Sequence, residues 1–149
     1  MKICFATSSG GHLTHLVLLE KWYKNHDRFW VTFNKEDAKT VLADEKKFFC
    51  YYPTNRSIKN LVKNSILAFR LILKERPDVI ISTGAGVAVP FFYIGKLFGC
   101  KTIYIEVYDR INIPTLTGKL VYPITNKFIV QWESQLKFYK NATLIGQIV

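Results

Sequence analysis

Three short segments hold most of the residues that could do chemistry. The first, Ser8-Ser9-Gly10-Gly11-His12, leaves an apolar run and opens a helical pattern. Paired glycines allow a tight turn and a close backbone approach to a ligand, and free N–H groups at a helix start favour an anion. His12 then stands at the helix N-terminus, where positive partial charge favours the neutral imidazole that a general base needs. A plain glycine turn followed by a histidine accounts for the same residues. The segment is not a dinucleotide fingerprint: G-x-G-x-x-G is absent, and no acidic residue closes the second strand at Thr32-Phe33-Asn34. It is not a P-loop, because the G-K-[ST] element is missing. His15 lies about one turn further on, on a neighbouring face. No carboxylate or third ligand stands by to make a metal pair of it, so it reads as structural or substrate-side packing. His26 reads as a solvated helix end.

The second segment, Ser82-Thr83-Gly84-Ala85-Gly86, is another small-residue turn before a helix. It suits a second ligand-facing nest of N–H groups, or close packing of two backbones. The third, Ile105-Glu106-Val107-Tyr108-Asp109-Arg110, puts charges just past a very apolar run. Loops in that position carry function, although Glu106 and Arg110 could equally form a surface ion pair.

These segments need a scaffold, and the pattern supplies one. Short β-like runs are expected near 2–7, 28–33, 47–52, 78–82, 101–105 and 127–131, with a last one at 143–145. Helical patterns fill the gaps at 12–25, 35–44, 57–76, 87–98, 116–122 and 134–139, and Pro77 closes the third helix. The alternation predicts an α/β fold: a Rossmann-like parallel sheet with helices on both faces, formed as a single domain over residues 1–149. In such sheets ligands bind beyond the carboxyl ends of the strands, where all three segments fall.

The helix at 57–76 carries Lys59, Lys63, Arg70 and Lys74 within about 60° of its circumference. Ile58, Leu61, Val62, Ile66, Leu67, Phe69, Leu71, Ile72 and Leu73 fill most of the rest. One apolar side can pack on the sheet; the other can dip into a bilayer beside a basic rim, or the stripe is simply the solvated side of a buried helix.

Composition narrows the class. With 149 residues and 49% hydrophobic content the chain can build a real core. Its net charge of +10 suggests an anionic partner: acidic lipid, a phosphorylated ligand or nucleic acid. The charges are spread out and form no single run of nucleic-acid type, and composition alone does not choose among the three. Cys4, Cys50 and Cys100 are far apart and apolar in context, which indicates neither disulfides nor zinc. The N-terminal run lacks a signal-peptide pattern, and no stretch reaches the roughly 18 apolar residues of a membrane span. The expectation is a cytoplasmic protein, or one lying on a membrane.

Taken together, Ser8-Ser9-Gly10-Gly11-His12-Leu13, Thr83-Gly84-Ala85-Gly86, Tyr104-Ile105-Glu106 with Arg110, 116–123, Val130-Gln131-Trp132, Tyr139 and Gly146 carry a resemblance. Over essentially its whole length the chain resembles the asparagine-linked glycosylation protein 14 family, and within it the bacterial capsule and exopolysaccharide members. The resemblance implies half of a GT-B glycosyltransferase, similar to the amino-terminal domain of the lipid II-forming enzyme. It implies transfer from a UDP-sugar, held mainly by a nucleotide-sugar-binding partner subunit, to a polyprenol-diphosphate-linked saccharide. No cofactor, no metal and no nucleic-acid partner are implied. His12 would be the general base or a donor to the acceptor diphosphate, and Glu106 would orient the acceptor hydroxyl or the histidine. Ser9, Gly10, Gly11, Gly84, Gly86 and Arg110 would bind the acceptor and its diphosphate. Lys59, Lys63, Arg70 and Lys74 would hold the protein on the anionic cytoplasmic face of the plasma membrane. Two departures stand out: Ser8 replaces the first glycine of the family's loop, and Val107 a serine. The other readings are a non-catalytic subunit that recruits and stabilises its partner, and a stand-alone nucleotide-binding protein, against which the second strand's missing acid counts.

Overall fold

The computed structural model describes residues 1–148. Seven strands form one parallel sheet: β1 (Lys2–Ala6), β2 (Asp27–Phe33), β3 (Lys47–Cys50), β4 (Val79–Ser82), β5 (Lys101–Ile105), β6 (Lys127–Val130) and β7 (Thr143–Leu144). Their order is β3-β2-β1-β4-β5-β6-β7, with every neighbouring pair parallel. The strands alternate cleanly between two cores. Ile3 and Phe5 face one layer with Leu13, Leu16 and Trp30, while Cys4 and Ala6 face the other with Ala68, Phe91 and Phe92. Burial on both faces is why these strands read as nearly continuous apolar runs.

Six helices cover the sheet: α1 (Gly11–Val17), α2 (Glu20–Tyr23), α3 (Glu36–Val41), α4 (Ile58–Glu75), α5 (Ala88–Leu97) and α6 (Leu116–Val121). The α/β class, all seven strands and the four middle helices match the expectation from sequence. Three details differ. The helix expected at 12–25 breaks at Leu18-Leu19 into α1 and α2. The break coincides with the burial of Tyr23 between Phe5 and Trp30, at 5.1 and 5.6 Å between ring centroids. Pro123 converts the end of the α6 segment into a 3₁₀ turn over Tyr122–Ile124, as the loss of its N–H requires. The last helix is also 3₁₀, over Glu133–Lys137.

The long helix α4 is delimited locally. Ser57 caps its start by accepting from the Asn60 N–H at 3.2 Å, and Arg76 ends it in the left-handed region just before Pro77. Remote contacts fasten it. Buried Asn64 accepts from the Tyr51 N–H at 2.8 Å and donates to the Tyr51 carbonyl at 3.0 Å. Buried Glu75 accepts from Lys2 at 2.7 Å and Lys46 at 2.9 Å.

The chain runs outward from β1 to β2 and β3, then returns to place β4 on the other side of β1. Such a reversal separates the loops after β1 and β4 and opens a crevice at the carboxyl ends of those strands. It is there that the first two chemical segments meet.

Candidate active site

His12 and Thr83 bind each other across that crevice. The His12 Nδ1 lies 3.0 Å from the Thr83 carbonyl, and the Thr83 hydroxyl donates to the His12 carbonyl at 2.6 Å. A carbonyl only accepts, so the ring proton sits on Nδ1 and Nε2 keeps its lone pair. Burial pushes the His12 pKa below its ordinary 6.5. The Thr83 carbonyl, Asp109 and Glu106 oppose that shift, and Arg110 reinforces it. The result is a neutral imidazole with one nitrogen anchored and the other free.

Gly84 has a φ of +136°, and a Cβ there would lie 2.7 Å from His12 Cε1. Its N–H donates to the Ser82 hydroxyl at 3.0 Å. Gly84 therefore makes room for His12 and does not offer its N–H to a ligand, which corrects its expected role. A Cβ on Gly86 would lie 2.9 Å from Thr54 Cβ, so this glycine admits the loop after β3. Close packing, the alternative reading of this turn, is what the structure shows. Gly10, at φ +76°, donates its N–H to Asp37 at 2.7 Å, so a carboxylate of α3 already holds that group. Ser9 is half-buried beside it, and its carbonyl accepts from the Ser8 hydroxyl at 3.1 Å.

Residues 107–115 form the facing wall. Together with Gly11, His12 and His15, the residues Val107, Tyr108, Asp109, Arg110 and Thr115 line a cleft of about 280 Å³. Glu106 is not among them. It is 1% exposed, and its carboxylate is turned inward. There it accepts from the Thr115 hydroxyl at 2.9 Å, the Tyr139 hydroxyl at 2.9 Å, and the N–H groups of Thr115 and Val107 at 3.2 Å. A Cβ on Gly118 would come within 2.5 Å of the same carboxylate, so only glycine fits there. Burial and Glu106 together raise the Tyr139 pKa, keeping the phenol a donor. Glu106 thus holds both ends of the cleft loop from beneath instead of facing a ligand. From outside, Trp132 donates to the Tyr108 carbonyl, Ser134 to that of Ile111 and Gln135 to that of Arg110.

Sequence reasoning brought His12, Gly11 and Arg110 to one cleft. It missed Thr83, Asp109 and Thr115 as parts of the site. Asp109 was visible beside Arg110; the Thr83 role rests on a carbonyl, which no residue type encodes.

The basic stripe lies elsewhere. Lys59, Lys63, Arg70 and Lys74 are all exposed on α4, with Lys63 over the Tyr51 ring and Lys74 over Phe48. Beside it Ile58, Leu61, Val62, Ile66, Phe69 and Leu73 are exposed too. Between α4 and α5 runs a groove of about 490 Å³ lined by Leu61, Val62, Ser65, Ile66, Phe69 and Ile94. No helix among the described residues is long and apolar enough to cross a membrane.

Comparison with known proteins gives a consistent assignment. The family described as "Oligosaccharide biosynthesis protein Alg14 like" matches residues 51–148. A Mus musculus protein named UDP-N-acetylglucosamine transferase subunit ALG14 is 30% identical over 181 positions, covering 100% of this chain and 83% of that protein. The Candida albicans protein of the same name is 39% identical over 99 residues, covering 62% of this chain and 45% of that one. Among solved structures, Acinetobacter baumannii MurG superposes with a TM-score of 0.73 at 15% identity, over 90% of this chain and 43% of MurG. UDP-GlcNAc 2-epimerase from Methanocaldococcus jannaschii gives 0.76 at 15% identity, over 99% and 46%. The chain spans less than half the length of either structure, and its fold is the Rossmann-like amino-terminal half of a GT-B glycosyltransferase. By sequence the chain belongs to the Alg14-like family of oligosaccharide biosynthesis proteins.

Proposed function

We propose that this chain is the acceptor-side subunit of a two-chain hexosyltransferase. A partner subunit holds a UDP-sugar, and this chain, acting as one acceptor-binding domain, presents a polyprenol-diphosphate-linked saccharide to it. The observation that carries the reading is the Nδ1 contact of His12 with Thr83, which leaves Nε2 free in a cleft that also contains Arg110. The acceptor hydroxyl gives its proton to Nε2 as its oxygen attacks the anomeric carbon of the donor sugar, and UDP departs with the bonding pair. Arg110 and the N–H groups around Gly11 balance the acceptor diphosphate. Ser9 joins them, and Gly10 does so only where Asp37 gives way. Glu106 acts through the loop, as a positioning residue. The names of the relatives, which contain UDP-N-acetylglucosamine transferase subunit, support a UDP-sugar as co-substrate. The chemistry proposed for this chain uses no cofactor and no metal.

In this reading the protein sits peripherally on the cytoplasmic face of the plasma membrane. Lys59, Lys63, Arg70 and Lys74 meet anionic lipid, and the apolar residues beside them dip below the headgroups. The product would be a capsular polysaccharide or exopolysaccharide precursor. One observation favours a second reading, the non-catalytic recruiting subunit: the basic and apolar face is built independently of the cleft, on α4 and α5.

Reconstitution tests the proposal. The purified chain, given a UDP-sugar and a lipid-linked acceptor, should transfer nothing until the partner subunit is added. Robust turnover by this chain alone would overturn the two-chain reading.

A further inference from the structure

His15 follows His12 by one turn of α1 and lines the same cleft, yet it is only 4% exposed. Its Nδ1 is buried without a hydrogen-bond partner. Native proteins pair nearly all of their buried polar atoms, so an orphan in the wall of a cleft points to a partner from outside the protein. The ring is covered by Tyr108, packed edge to face at 5.1 Å between centroids. Tyr108 is half-exposed, and its main chain is fastened to Trp132 through its carbonyl. Because that fastening runs through the main chain, an outward turn of the side chain would leave it intact.

The surroundings select the chemistry of the missing partner. Burial holds His15 below its ordinary pKa, His12 adds to the effect, and Asp109 opposes it. Asp109 bears on His12 in the same sense, so the difference between the two rings is Arg110, which bears on His12 and not on His15. A phosphate next to His15 would meet a neutral ring and the Asp109 carboxylate without the Arg110 guanidinium that offsets them at His12. A hydroxyl or amide N–H would find an acceptor in both.

We infer that His15 is a specificity-determining contact, taking an uncharged hydroxyl or amide N–H of the acceptor sugar in the space that Tyr108 vacates. The diphosphate lies at the His12–Arg110 end, so only one end of the cleft offers a cation. The inference rests on the sugar-diphosphate reading of the cleft and gives that reading a direction.

The test is calorimetry on the full chain with two probes, farnesyl diphosphate and farnesyl diphosphate carrying N-acetylglucosamine. The parent should bind the sugar-bearing probe more tightly. His15→Phe should weaken that probe about tenfold, the scale of one desolvated hydrogen bond, and leave farnesyl diphosphate unchanged. His15→Asn, whose amide overlays the Nδ1 position, should retain most of the affinity, with circular dichroism confirming that both variants fold. The inference is overturned if the Phe variant binds both probes like the parent or loses both alike. It is also overturned if the sugar adds nothing to the parent's affinity, in which case the diphosphate site stands. A parent that binds neither probe overturns the acceptor reading itself.

Discussion

At the scale of single residues, one hydrogen bond does most to define the chemistry. Without the Thr83 carbonyl, the His12 ring could carry its proton on either nitrogen; with it, Nε2 keeps the lone pair that the proposed mechanism uses as the base. His12→Ala should lower turnover of the assembled enzyme about 10²–10⁴-fold while the partner still binds, as measured by steady-state rates and pull-down. The pH profile carries a second signature. Burial lowers the His12 pKa below 6.5, and in the proposed mechanism the neutral ring is the active form. Activity should therefore fall only as the pH drops through a value below 6.5, and that acid limb should vanish from the residual rate of the Ala variant. Gly84 offers an independent check. An added Cβ would lie 2.7 Å from the imidazole, on a backbone at φ +136° that side chains rarely adopt. Gly84→Ala should displace His12 and cost on the order of 10² in kcat, the scale of an ångström's misplacement. A Gly84→Ala enzyme with the parent's kcat would show that His12 is not held where the chemistry needs it.

At the scale of elements, α4 divides its circumference three ways. Ala68, Leu71 and Ile72 are buried against the sheet; Leu61, Val62, Ile66 and Phe69 line an open groove; the four cations border it. A helix serving only as core would keep one apolar stripe, so the second is the unusual feature. Each cation near an anionic surface contributes about 1 kcal/mol, and four give roughly 4 kcal/mol, close to a thousandfold in partitioning. Reversing Lys59, Lys63, Arg70 and Lys74 to Glu should release the protein from phosphatidylglycerol-containing vesicles in a sedimentation assay. The fold should survive, because the aromatic contacts of Lys63 and Lys74 are worth only about 0.5–1 kcal/mol each at exposed sites. Undiminished binding by the folded, reversed protein would move the membrane face away from α4.

For the molecule as a whole, the reversal of strand order at β1 and β4 puts the cleft at one end of the sheet, while buried ionisable groups tie its stability to pH. His12 and His15 both have pKa values lowered by burial, below the 6.5 of an unfolded histidine. Below pH 6.5 the unfolded chain binds more protons than the folded one, so their contribution is full above 6.5 and lost as pH falls toward the folded values. Glu75 is lowered first by its hydrogen bond from Lys2 and then by that from Lys46. Its contribution is present above 4.5 and lost as pH falls through the folded value. Urea midpoints should accordingly decline in two stages, one beginning near 6.5 and one below 4.5. Replacing both histidines by Gln should remove the first stage only; an unchanged first decline would assign it to other groups.

The sequence by itself determined the α/β class, the places of the strands and the family. Those depend on local patterning: period-two apolar runs, Ser57 and Pro77 bounding α4, and glycines ahead of helices. It also picked out His12, Glu106 and the two glycine turns as special, and offered ligand-facing roles for all of them without showing what each one pairs with. Only the tertiary structure decided that. His12 is oriented by a residue 71 positions away, and Glu106 is drawn inward by Tyr139, 33 positions on. The N–H groups of Gly10 and Gly84 are taken by Asp37 and Ser82. The physical reason is that a residue type fixes how many donors and acceptors it brings, whereas a buried group must pair with whatever the fold puts beside it.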